Sequence, residues 1–288
     1  MEQDVLKRIR EMIPTFSKGQ KKIASYILEN YDKTAFMTAG RLGSTVGVSE
    51  STVVRFAADL GYEGYPEMRH ALQDLIKNRL TSVQRIEVSK GLMKNAETLP
   101  SAVLAADMER LRATSESLPG SDFEIAAEAI SKANAIYIMG IRSATSVAVF
   151  MGHYLNMLFP NVRIVNESSS SEIFEQILRV GHGDVFLGIS FPRYSRRTIR
   201  AMEYAKARGA TVIAITDAES SLLVPPADLR LYAKSDMISF VDSLAAPMSL
   251  ASALIVAAAD RSSQDLTADF ARLERLWSEF GVYEKTDR

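Results

Sequence analysis

Cysteine is absent from these 288 residues, which excludes disulfides, thiolate zinc sites and a cysteine nucleophile. Histidine is scarce: His70, His153 and His182 are scattered without metal-ligand spacing and are read as surface or packing side chains, so no metal site is expected. Long hydrophobic runs are missing too, since the longest, around Leu250 to Ala259, is Ala-rich and too short to span a bilayer. The start, MEQDVLKRIR, is charged, with no apolar signal core behind it. A cytoplasmic protein with no membrane partner and no cofactor is expected. Nor is there an excess of one charge: 34 Lys and Arg face 35 Asp and Glu, a formal net charge of −1. That excludes binding of nucleic acid by bulk positive charge, and leaves open a small basic head on a larger neutral body. With 47% hydrophobic and 24% charged residues, the chain is globular and long enough for two domains.

The most specific pattern that is present runs from Ala39 to Leu60 and predicts a helix-turn-helix. Leu42 and Val46 form the buried face of a first helix, Gly47 supplies the backbone freedom of a sharp turn, and Val48 plugs the corner. Ser49 then caps a second helix, whose Val53 and Phe56, three apart, point inward. Ser49, Glu50, Ser51, Val54 and Arg55 are left outward, with Thr52 at the edge. In this motif the start of the second helix enters the major groove. Ser49, Ser51, Thr52, Val54 and Arg55 are therefore the candidate contacts to double-stranded operator DNA, Arg55 for a guanine edge or a phosphate and Val54 for a thymine methyl. The alternative for Arg55 is an i,i+4 ion pair with Asp59. Lys18, Lys21 and Lys22 open an amphipathic helix and are candidates for phosphate contacts or simply a solvated face. The head, residues 1–80, is only weakly basic, so affinity is expected to need a dimer or tetramer.

Helices are predicted over Val5 to Met12, ended by Pro14, over Ser17 to Asn30, and from Pro66 onward, five helices in all for the head. Residues 81–99 are polar with weak periodicity and are read as a linker. From residue 100 to 288 the pattern changes. After helices Ala102 to Ser117 and Phe123 to Lys132, short apolar runs Ala135 to Gly140, Val162 to Val165, Asp184 to Ser190, Thr211 to Thr216 and Leu229 to Tyr232 alternate with helices Ser143 to Leu158 and Thr198 to Arg208. The tail returns to helix over Asp242 to Asp260 and Gln264 to Phe280. Near-continuous apolar strands between helices imply an α/β fold, a doubly wound parallel sheet covered on both faces. The Ala-rich helix Leu244 to Ala258 and the last helix, with Leu273, Leu276, Trp277 and Phe280, serve either a subunit interface or the core.

In such a sheet ligands sit beyond the carboxyl ends of the strands. Gly140, Arg142 and Ser143 follow strand one, Ser168 and Ser169 strand two, Ser190, Arg193 and Ser195 strand three. These eight are the candidate effector-binding residues: hydroxyls, arginines and helix N-termini suit a small anionic metabolite. Ser143, Ser171 and Ser195 could each equally be only a helix cap. An isomerase reading would require a base, and Glu167, His182 and Asp217 stand near this rim in sequence, but none lies in a catalytic motif, so no catalytic residue is assigned.

Four segments, Ser17 to Leu28, Val48 to Arg69, Ile136 to Ala148 and Gly183 to Thr198, together resemble the RpiR-type bacterial transcription regulators. The resemblance covers nearly the whole chain and implies an N-terminal helix-turn-helix head that binds operator DNA as a dimer, joined to a sugar isomerase (SIS) domain that senses phosphosugars or related metabolites. It makes a repressor of metabolic genes the expected function, and a phosphosugar isomerase the alternative. The sensor departs from the family pattern. Where G-x-G-x-S is usual, this chain has Gly140, Ile141, Arg142, Ser143 and Ala144; where S-x-S-G-x-T is usual, it has Ser190, Phe191, Pro192, Arg193, Tyr194 and Ser195. Two glycines have become arginines, which implies an anion held differently from the usual phosphosugar, or a vestigial pocket.

Overall fold

A computed structural model describes residues 5–77, 83, 85–86, 98–118, 120–166, 170–237, 240–262 and 266–283. The chain divides into two compact units, Met1–Ala105 with Met237–Asp242, and Ala106–Asp236 with Ser243–Arg288.

The first unit is helical: α1 (Val5–Met12), α2 (Lys18–Glu29), α3 (Tyr31–Thr34), α4 (Ala39–Val46), α5 (Glu50–Asp59) and α6 (Tyr65–Lys77). After α1, Pro14 stands in a 3₁₀ turn, Ile13–Thr15. A complete capping box opens α2, in which Ser17 Oγ accepts from the Gln20 N–H and Gln20 Oε1 accepts from the Ser17 N–H. Ile9, Ile23, Ile27, Leu42, Val53, Phe56, Met68 and Leu72 meet in one core with no exposed surface. The Phe56 ring lies 5.0 Å from that of Phe16, centroid to centroid, and burying a side chain of this size contributes about 2–3 kcal/mol. Helix α5 is thus anchored by the inward face that carries Val53 and Phe56. The one-turn helix α3 was not expected, because four residues show no periodicity.

In the second unit, α7 (Leu99–Ser117), which begins in the first unit, and α8 (Gly120–Ser131) precede a sheet of five strands: β1 (Ile136–Gly140), β2 (Val162–Ile164), β3 (Val185–Ile189), β4 (Thr211–Thr216) and β5 (Leu229–Tyr232). All pairings are parallel and the order is β2-β1-β3-β4-β5. Every residue of β1 and β3 is buried, so hydrophobic side chains are required on both faces. Ile136 and Ile138 of β1 face the core built with α8, α9 (Thr145–Leu158) and α12 (Ala245–Asp260), while Tyr137 and Met139 face α11 (Arg196–Ala207).

Several elements differ from expectation: α7 and α8 each begin three residues early, at Leu99 and Gly120. Helix α10 (Ser170–Gln176) follows β2 where only a serine run was read, because seven mostly polar residues show no apolar repeat. Helix α12 begins at Ala245 rather than Asp242, since Asp242 pairs with Met237 in an antiparallel bridge and its Oδ1 accepts from Arg85 at 2.7 Å. The last helix, α13 (Leu266–Glu279), has no buried residue.

Candidate DNA-reading helix and effector rim

The turn between α4 and α5 is built by two glycines used for different reasons. Gly47 has φ of +73°, the left-handed region, and the Val48 N–H beyond it closes on Gly43 O at 2.9 Å. Gly43 is needed for proximity: a Cβ there would stand 2.8 Å from Val48 O. Ser49 then caps α5, accepting from the Thr52 N–H at 3.3 Å, with its Oγ also 2.9 Å from Ser51 Oγ and 2.8 Å from Thr52 Oγ1. A hydroxyl belt therefore surrounds the start of the helix. Ser49, Ser51, Val54 and Arg55 are exposed and Thr52 is half-buried; Val54, a β-branched apolar residue, is 43% exposed on this otherwise polar face.

The ion pair weighed for Arg55 is not formed. Asp59 instead accepts from Gln20 Nε2 at 2.5 Å, and among the described residues no hydrogen bond or ion pair holds the Arg55 guanidinium. Gln20 thus completes the α2 capping box and ties α2 to the end of α5, a role for which the S-x-x-Q pattern was a usable signal. Arg8, one of the head's positive charges, is likewise taken up internally: its Nη1 donates to Leu60 O at 2.8 Å and its guanidinium lies 5.4 Å from the Tyr62 ring centre. A cation at the end of α5 satisfies a terminal carbonyl and complements the helix dipole. Lys18, Lys21, Lys22 and Arg41 are exposed, and Gly19 beside them lies against Val48 and Thr52 at the corner of the turn. Tyr65 donates its hydroxyl to Met37 O at 3.0 Å, and burial pushes its pKa up to about 12, partly opposed by Arg69.

In the second unit the strand order makes the gap between β1 and β3 the topological switch point, where the chain departs to opposite sides of the sheet. Gly140 and Ile189 are paired at the carboxyl ends of these strands, so Gly140, Arg142 and Ser143 leave one side of the gap and Ser190, Arg193 and Ser195 the other. A Cβ on Gly140 would stand 2.4 Å from Ala144 O, and Thr145 Oγ1 donates to Gly140 O at 3.0 Å. Ser143 makes no capping bond; α9 starts without a side-chain cap. Ser195 does cap α11, accepting from the Thr198 N–H at 3.2 Å, and its own N–H donates to the buried Ser190 Oγ at 3.1 Å. Both hydroxyls accept a backbone N–H here and keep their own proton to donate. Ser168, Ser169 and Glu167 lie outside the described residues.

Arg142 and Arg193 have φ of +61° and +71°, the non-glycine residues with positive φ in the described chain. The positions where the family pattern has glycine have kept glycine's conformation and changed its side chain, at a cost of about 1–2 kcal/mol each. The Arg193 loop is pinned on both sides. Pro192 is buried, and Tyr194 OH donates to Asp217 Oδ1 at 2.8 Å. Beneath it, Thr216 Oγ1 donates to Ser190 O at 2.9 Å and lies 2.7 Å from Ser221 Oγ. Asp217 is placed near the rim by the sequence; Ser221 is not, for it arrives from a turn without a motif. His182 is at the other end of the sheet, since it precedes β3 and the rim follows β3. That corrects its placement near the rim and removes it as a base for isomerase chemistry there.

Residues 3–79 match the rpiR-family helix-turn-helix domain and residues 129–257 the SIS domain. An uncharacterised HTH-type transcriptional regulator of Caldanaerobacter subterraneus subsp. tengcongensis is 26% identical over 250 residues, 82% of each chain. The HTH-type transcriptional regulator HexR of Pseudomonas aeruginosa is 25% identical, over 76% of this chain and 75% of HexR. Among solved structures, the sugar isomerase domain of an RpiR transcription factor from Sphaerobacter thermophilus superposes with a TM-score of 0.58 at 28% identity, covering 62% of this chain and 98% of that one. The Vibrio vulnificus NanR protein, solved in complex with ManNAc-6P, has the same fold, with a TM-score of 0.57 at 20% identity over 96% of this chain and 98% of NanR. With an rpiR-type head followed by a SIS domain, the chain belongs to the RpiR-type transcriptional regulators.

Proposed function

We propose that this regulator is a repressor of metabolic genes, that it reads double-stranded operator DNA as a homodimer or tetramer, and that a small anionic metabolite bound in the SIS domain controls its DNA affinity. The DNA contacts are assigned to Ser49, Ser51, Thr52, Val54 and Arg55, in a head of residues 1–80 joined by a linker, 81–99, to a sensor and oligomerisation domain, 100–288. The effector contacts are assigned to Gly140, Arg142, Ser143, Ser190, Arg193 and Ser195, together with Ser168 and Ser169 by their place after β2. The observation that carries the DNA assignment is the outward face of α5, where Arg55 is exposed with its expected internal partner Asp59 bonded to Gln20. For the effector, support comes from the β1/β3 switch point, with two donor hydroxyls and two arginines on one sheet edge. A phosphosugar or sugar acid is the class we propose, in keeping with the ManNAc-6P seen in NanR. The regulator acts in the cytoplasm and is not an enzyme; among the described residues no helix is long and apolar enough to cross a membrane.

The test is a gel-shift titration with the DNA upstream of the regulator's own gene. The wild type is expected to bind with a steep loss of affinity as salt rises, through counterion release, and the complex to respond to phosphosugars or sugar acids. A flat salt response, or turnover of a phosphosugar by the purified protein, would overturn the assignment.

A further inference from the structure

The sequence leaves α12 and α13 open to either the core or a subunit interface, and the structure separates them. Helix α12 buries Leu250, Ala251, Leu254 and Ile255 in the core of the sheet. Helix α13 buries none of its 14 residues, although Phe270, Leu273, Leu276 and Trp277, the one tryptophan of the chain, stand on it. A helix of this length is marginal by itself in water and is normally held by packing of its apolar face. This one is nevertheless closed by a complete stop signal. Gly281 takes a φ of +62°, the Val282 N–H donates to Trp277 O at 2.9 Å and the Gly281 N–H to Ser278 O at 3.4 Å, the Schellman arrangement. The Phe280 N–H donates to Leu276 O at 2.9 Å, which keeps Phe280 in the last turn. The chain thus specifies a helix of defined length whose apolar face is left to water, with Phe280 75% exposed.

The pattern of that face names its cover. Leu266, Phe270, Leu273, Leu276 and Phe280 are spaced four, three, three and four apart, and at helical periodicity they fall within an arc of about 120°. The spacing is the same from either end, with Leu273 at its middle. A two-fold interface requires this, because residue i must meet j while j meets i. In an antiparallel second copy turned about Leu273, that residue comes level with itself, Phe270 with Leu276 and Leu266 with Phe280, so each layer receives one large apolar side chain from each helix. The same register sets the Trp277 indole N–H level with the Asp269 carboxylate of the other copy, a donor with an acceptor. Beside the stripe an open groove of about 790 Å³ separates Leu273 and Leu276 from Met157, Phe159 and Pro160 at the end of α9. His153 lines the same groove and meets the exposed Tyr154 edge-on, 5.0 Å between ring centroids. The apolar surface on offer is therefore wider than one helix face.

Building on the proposal that the regulator is a homodimer or tetramer, we infer that α13 is a subunit interface, pairing antiparallel with α13 of a second copy across a two-fold axis at Leu273. The pairing buries the stripe and supplies the packing that α13 lacks in a single copy.

Sedimentation of the full chain over a range of concentrations tests this with two opposite substitutions, Leu273→Lys and Leu273→Glu. Each alone sets like charges against each other at the axis and is expected to weaken self-association about a hundredfold. Mixed in equal amounts, the two variants should recover about tenfold or more of that loss, because unlike charges then meet. A variant that merely misfolds is not rescued by mixing. The wild type supplies a second readout: as it is diluted through dissociation, the Trp277 emission should move to longer wavelength and its quenching by iodide should rise. A wild type that is monomeric at every concentration overturns both the oligomer and this interface. Variants that associate as tightly as the wild type, no recovery on mixing, or Trp277 emission unchanged on dissociation overturns the α13 pairing and leaves the oligomer standing on another face.

Discussion

The reading head and the sensor solve the same backbone problem with opposite residues. In the head, the left-handed position of the turn is Gly47 and the tight approach is Gly43; the side chains proposed to face DNA stand on regular helix, where no strain is needed to present them. In the sensor, two left-handed positions carry Arg142 and Arg193. Where only the conformation matters the chain uses glycine, and where a side chain must issue from the bend it accepts the strain. The contacts proposed for each follow the same split: a dispersed polar helix face in the head, and two exposed arginines at one sheet edge in the sensor.

The contrast can be broken most severely at Gly43. Gly43→Ala places a Cβ 2.8 Å from Val48 O, and forcing the two helices apart is expected to cost about 3 kcal/mol, seen as a lowered chemical-denaturation midpoint and lost DNA binding. Next comes Arg55→Ala, expected to lose about 2 kcal/mol of DNA affinity in the gel shift while thermal stability is unchanged. Full binding by this variant would remove Arg55 from the DNA contacts. Gly47→Ala meets nothing within 4 Å, so its expected cost of about 1–2 kcal/mol is backbone strain alone, measurable by denaturant unfolding. Tyr65→Phe removes the bond to Met37 O and should cost about 1 kcal/mol. The Tyr65 pKa is raised by burial to about 12 against about 10 in the unfolded chain. Its contribution is thus complete below pH 10 and is lost as the pH rises toward 12, so alkaline unfolding should be shallower in the variant. The smallest effect sharpens the contrast from the other side. Arg142→Gly relieves strain but frees the unfolded chain, and the net gain is expected to be about 0.5 kcal/mol. A loss of stability would show that Arg142 serves packing.

Much of this is legible in the sequence. The strands could be read because a sheet buried on both faces demands unbroken apolar runs, as in Ile136 to Met139 and Val185 to Ile189. The helix-turn-helix could be read because its inward residues recur at helical spacing around a glycine turn. Helices α3 and α10 could not, since four and seven residues are too few for a period to show. His182 was misplaced because distance along the chain does not reveal which end of a strand a residue stands at. Ser221 and Gln20 reach their partners across 5 and 39 residues, and only the latter had left a capping motif as a clue.

By itself the sequence determined the two-part division, the α/β class, the outward face of the reading helix and the residues gathered beyond β1 and β3. Local periodicity and turn chemistry suffice for these, because each depends on neighbours within one or two turns of helix or one strand. The tertiary structure alone decided the order β2-β1-β3-β4-β5, the partner of Asp59 and the left-handed backbone of Arg142 and Arg193. Each depends on which distant segments pack together. A non-glycine residue is held at positive φ only when surroundings far along the chain over-determine it.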